Sequence, residues 1–226
     1  EASGSGQTEE HVKNHLKAFL QQALYPQNQH YINPKSLDGN FEIDLAVHTG
    51  AKANTSTGVL MEVKKPGNKA EMITPQQFNK KAFQEAVLYY LWEKEINQNH
   101  ELKHIVITNC LAWFVFDAQD FHRLFYEDKS LLDQFRKWRE GQLDTSRTKG
   151  MYGLIETAVQ NKEAELTATH FDLTEYEAYL QDAEGLKPSA KDTEHETAQT
   201  ELTALLKVLS PRHLLKQSFA NDSNAL

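Results

Sequence analysis

The sequence predicts a mixed α/β fold, a central sheet flanked by helices, and three observations carry that prediction. Residues 41–48 and 58–65 alternate apolar and polar side chains with period two, as half-buried strands do. Residues 9–23 and 74–97 repeat apolar side chains at helical spacing instead. Two further β-rich runs, 104–108 and 112–117, follow the second helix, which gives the order helix, strand, strand, helix, strand, strand.

Each element has a local cause. Val12, Leu16, Phe19, Leu20 and Leu24 make the stripe of the first helix, Thr8 is placed to cap it, and Pro26 ends it. In the first strand Phe41, Ile43, Leu45 and Val47 form one apolar set, after the turn signal Asp38-Gly39-Asn40. A polar connection leads to Gly58-Val59-Leu60-Met61-Glu62-Val63-Lys64-Lys65, stopped by Pro66-Gly67, so the two strands are expected to pair as a hairpin. The second helix starts behind Thr74-Pro75, and its apolar density predicts deep burial. A helix is expected over 129–140, and Trp92, Trp113 and Trp138 are expected in the core.

At 226 residues, with 39% apolar and 25% charged side chains, the chain is long enough for one substantial domain with an appendage. The expected division is a flexible end over 1–7, the main domain over 8–180, and a tail over 181–226. Between 181 and 201, six acids stand against two lysines, a balance of −4 out of a net charge of −8, which reads as an exposed acidic linker. A helix is expected from about Glu201 to Leu209, broken or restarted at Ser210-Pro211. Cys110 has no partner, which fits a reducing compartment. The longest apolar runs, 86–92 and 110–116, fall well short of the roughly 20 residues that cross a bilayer. Residues 1–6 have neither the basic flank nor the apolar stretch of a signal peptide, so a cytoplasmic protein is expected.

The acidic balance argues against a protein that grips nucleic acid unaided, because non-specific affinity comes from Lys and Arg on phosphates. No Gly-x-Gly-x-x-Gly, Walker or amino-methyltransferase motif is present, so neither nucleotide hydrolysis nor methyl transfer is expected within the chain. His48 and His104 read as surface or cap residues, and no zinc site is expected.

One segment carries chemistry. Residues two apart on a strand share a face, so Glu62 and Lys64 lie together, opposite Val59, Met61 and Val63. Hairpin pairing would bring Asp44 beside Glu62. Two carboxylates and an amine then converge, a set able to hold a hard divalent cation that activates water and offsets charge on phosphorus. Lys64 would orient the attacking water, or deprotonate it if burial lowers its pKa.

These residues resemble the PD-(D/E)xK nuclease superfamily, with Asp44 at its metal-binding aspartate and Glu62-Val63-Lys64 at its triplet; Ile43 stands where the nominal motif has proline. The resemblance implies a restriction-endonuclease-like core, Mg²⁺ (or Mn²⁺) held by Asp44, Glu62 and the Val63 carbonyl, and an acid from the first helix. Helical phase favours Glu9 for that acid over Glu10. A Gln-x-x-x-Tyr motif of some relatives is matched only inexactly, by Gln84 or Glu85 ahead of Tyr89.

A longer similarity, through 58–66, 84–91, 209–216 and 220–224, is to type IIG restriction-modification enzymes, which join such a nuclease to an adenine methyltransferase and a DNA-recognition region. It implies an N-terminal fragment that cuts double-stranded DNA gripped mainly by an absent recognition region. It also implies S-adenosylmethionine only in the absent methyltransferase region, a helical connector within 181–226, and oligomerisation for double-strand cleavage in a bacterial or archaeal cytoplasm. An idle nuclease-fold scaffold and a repair-type nuclease are the alternatives.

Overall fold

In the computed structural model, residues 8–38, 41–143, 147–176 and 192–217 are described. Six strands form one mixed sheet in sequence order, β1 Ile32–Ser36, β2 Glu42–His48, β3 Thr57–Val63, β4 His104–Thr108, β5 Ala112–Asp117 and β6 Thr169–Asp172. All neighbours are antiparallel except β3 and β4. That parallel pair needs a long crossover, and the crossover contains α2, Lys81–Glu95.

Two apolar layers sandwich the sheet. On one face α2, α4 (Lys129–Arg139) and α5 (Arg147–Lys162) cover Leu60, Ile105, Ile107, Phe114 and Phe116. On the other, α1 (Glu9–Ala23) places Val12, Leu16 and Leu20 against Leu45, Val47, Val59, Met61 and Val63. The short α3 (Ala118–Phe121) and a π-helical turn, His122–Tyr126, follow β5. Because both faces are covered, β3 and β4 are buried along their whole length. No helix among the described residues is long and apolar enough to cross a membrane.

Several expectations change. The helix after the triplet starts at Lys81, not at Thr74. Thr74 and Gln77 instead exchange backbone bonds, and the Glu163 carboxylate accepts from the amides of Phe78 and Asn79, so these groups are satisfied without a helix. Strand β1, which carries Pro34, and β6 lie at the two edges and were not anticipated, nor was α5.

In β2 the expected single apolar face does not hold. Between Asn33↔Ala46 and Lys35↔Ile43 the pairing advances two residues on β1 and three on β2. This bulge puts Ile43 in the α2 layer while Leu45 and Val47 face α1.

Residues 177–191, the end of the expected main domain and the first part of the expected acidic linker, lie outside the described residues. From Asp192 the chain is helical, forming α6 (Asp192–Leu209), and Pro211 at the first turn starts α7 (Pro211–Leu214). This segment packs on the sheet: Leu205, Leu209, Leu214 and Leu215 join the α1-side core. Tyr25 donates to the Leu209 carbonyl at 2.7 Å, and the His104 ring bonds the Leu214 carbonyl at 2.7 Å. A Cβ at Gly58 would sit 2.3 Å from Leu215 Cδ2, so the glycine leaves room for that side chain where the segment crosses β3. All three tryptophans are buried, as expected.

Candidate active site

Leu45↔Met61 is the last registered pair of the β2–β3 hairpin on the side toward the site. There the Asp44 carboxylate takes over from the backbone ladder: its Oδ2 accepts the Val63 N–H at 2.8 Å. Asp44 is thereby fixed beside the last residue of β3, and Lys64 N is held by the Thr108 carbonyl of β4 at 2.8 Å. Alternation along β3 sends Glu62 and Lys64 to the face of Leu60, under α2.

Both side chains are buried, and the Lys64 amine lies 2.6 Å from Glu62 Oε1 and 2.7 Å from Glu85 Oε2. Glu9 of α1 reaches to 3.9 Å and Glu71, from the loop after β3, to 4.0 Å. Of the two helix acids, Glu9 thus faces the site, while Glu10 pairs with Lys13 at 2.8 Å at the surface. Glu62 Oε2 is buried with no hydrogen-bond partner.

The charges do not balance. Asp44, Glu62, Glu85, Glu9 and Glu71 face Lys64, Lys13 (3.3 Å from Asp44) and Lys81 (3.0 Å from Glu71), three cations against five acids. Burial, with repulsion from Asp44 and Glu85 added, lifts the Glu62 carboxyl well above the usual range. Burial also raises Asp44, against the pull of the Val63 N–H and Lys13. For Lys64, burial works downward, yet Glu62 and Glu85 outweigh it and its pKa is raised. The amine therefore stays protonated, a donor rather than the base that a lowered pKa would have made it.

Gln84 does not reach the site; its amide donates to Asn79 at 3.0 Å. Glu85 takes that place on α2. It was in view only as part of the Glu85…Tyr89 spacing, and Lys13, Glu71 and Lys81 were not singled out. For Lys13 a signal existed, since it lies one helical turn after Glu9. For Glu71 none did, because its place depends on the loop being folded back by Asn68 and Lys81. His48 and His104 are buried rather than exposed, each with its Nδ1 on a backbone carbonyl.

Among the described residues, no three His, Cys, Asp or Glu side chains are gathered around one metal position. Two observations nevertheless fit a hard cation here: the unpartnered Glu62 oxygen and the excess of carboxylates.

A family model described as a domain of unknown function (DUF7149) matches residues 1–222, and the chain belongs to that family. No curated protein and no solved structure matches it.

Proposed function

We propose that this member of the family is the nuclease domain of a type IIG restriction-modification enzyme, with a restriction-endonuclease-like core that hydrolyses phosphodiester bonds of double-stranded DNA. The observation that carries the reading is the buried, unpartnered Glu62 oxygen next to a protonated Lys64, opposite Asp44. A buried acceptor left open costs about 1–3 kcal/mol, so it is kept where something binds it.

Asp44, Glu62 and the Val63 carbonyl would hold Mg²⁺, with Glu9 reaching in from α1. A divalent cation bound there lowers the pKa of bound water and offsets charge at phosphorus. Lys64 donates toward the attacking water and the phosphate oxygens, held on line by Glu85. Asp44 fixes the hairpin end through Val63 N, so the two carboxylates keep their spacing without substrate. With a net charge of −8, DNA affinity falls to a recognition region outside this chain. In the full-length enzyme, Asp44→Ala and Lys64→Ala should each cut Mg²⁺-dependent cleavage by at least about 100-fold. Cleavage at the parental rate by either variant refutes the assignment.

A scaffold reading has one observation in its favour: Lys64 and Lys13 already supply counter-charge from within the chain. Calorimetry separates the two, because a scaffold has no Mn²⁺ binding for Asp44→Ala to remove.

A further inference from the structure

His11-Val12-Lys13-Asn14-His15 is a His-x-x-x-His spacing on α1, which stands against the expectation of no zinc site. On a helix, residues four apart are neighbours on one face, with Cβ atoms roughly 5–6 Å apart. Here the two rings turn toward each other. Their centroids are 4.4 Å apart and edge-to-face at 83°, and the Nε2 atoms approach to 2.9 Å.

The pair stands on rigid backbone. Thr8 caps the helix by accepting from His11 N, and Val12, Leu16 and Leu20 anchor the opposite side in the core. Glu9 and Lys13 face the candidate active site from a different side of the same helix, so the histidines are separate from it.

Geometry restricts the ligand. An ion about 2.05 Å from each imidazole nitrogen, with the nitrogens 2.9 Å apart, subtends an angle near 90° between them. That is the angle of adjacent positions in an octahedral or tetragonal ion; a tetrahedral ion would need about 3.3 Å. Hard oxygen-seeking cations are disfavoured by two nitrogen donors.

We propose that His11 and His15 form a two-histidine site for a divalent transition metal of octahedral or tetragonal preference, Cu²⁺ or Ni²⁺ ahead of Zn²⁺, with water in the remaining positions. Without metal, one Nε2–H donates to the other ring's lone pair. On binding, that proton moves to Nδ1 and both Nε2 lone pairs face the ion. Closing one turn of α1 this way stabilises the folded state by mass action.

The test is thermal unfolding of the wild-type chain with Ni²⁺ alone, beside His11→Ala, His15→Ala and Asp44→Asn. At a hundredfold excess over Kd the wild type should gain about 5 °C or more in Tm. Both histidine variants should lose the gain and Asp44→Asn should keep it, while Mg²⁺ at the same concentration gives equal shifts in wild type and histidine variants. Any other pattern overturns the site: no gain in the wild type, a gain that survives either histidine substitution, or one that Asp44→Asn abolishes.

Discussion

Two buried ionic clusters sit at opposite ends of the β3–α2 unit, and they are built differently. At one end Glu93, fully buried, accepts from Lys35 at 2.5 Å, Asn97 at 2.7 Å and Asn99 at 2.8 Å, while Asn99 and Lys35 also bond Thr57 at the start of β3. One carboxylate meets one cation, and the amides complete it. At the other end Lys64 is shared by Glu62 and Glu85, three more acids crowd in, and one Glu62 oxygen has no partner. A satisfied cluster ties a helix to a strand. A cluster short of positive charge is unfinished, and it is the one that can take a cation.

Substitution should separate the two. The largest effect is expected at the satisfied end: Glu93→Ala leaves Lys35, Asn97 and Asn99 without their acceptor, and urea unfolding should show a loss on the order of 3–5 kcal/mol. A loss below about 1 kcal/mol would remove its status as a clamp. At the unfinished end Glu62→Gln relieves a buried carboxylate of repulsion by Asp44 and Glu85, so the same measurement should give anything from no change to a gain of about 1 kcal/mol. If it destabilises as much as Glu93→Ala, the contrast between the clusters is false.

The smallest effect is pH dependence at the clamp end. His48 is buried there, and burial holds its pKa below the usual value, with Lys35 pulling the same way against Glu93 and the Thr55 carbonyl. A depressed folded-state pKa contributes stability above the unfolded pKa of about 6.5 and loses it as pH falls through the folded value. Tm should therefore drop between pH 7.5 and 5.5, and His48→Gln should flatten part of that drop. An identical slope in the variant would assign the drop to His30 and His104, which burial shifts the same way.

Sequence reading reached the site's axis but not its shell. Strand parity put Glu62 and Lys64 on one face and helical phase brought Glu9 forward, both of which depend only on local geometry. The extent of α2 could not be read in the same way. The carboxylate that holds the chain out of the helix before Lys81 belongs to Glu163, eighty-five residues beyond Phe78, and no local propensity encodes such a bond. The bulge at Asp44 escaped for a related reason: it shows only as a mismatch between two paired strands, while each strand alone still alternates. The composition of 181–201 suggested a solvated linker, yet the leucines after it, spaced at 205, 209 and 214, are the residues that dock.

Gly58 has a mechanical meaning. The strand that carries Glu62 and leads into Lys64 passes under Leu215 at Gly58, where an added Cβ would meet the Leu215 side chain. Its seven residues, about 20 Å of backbone paired by β2 and β4 apart from a bulge at Gly58, act as a stiff rod between that seat and the acid cluster. Anything that pulls on residues 211–217 therefore loads one end of a rod whose other end holds the reactive groups. The docked tail and the cluster are joined in series, and strain applied at the first has a direct route to the second.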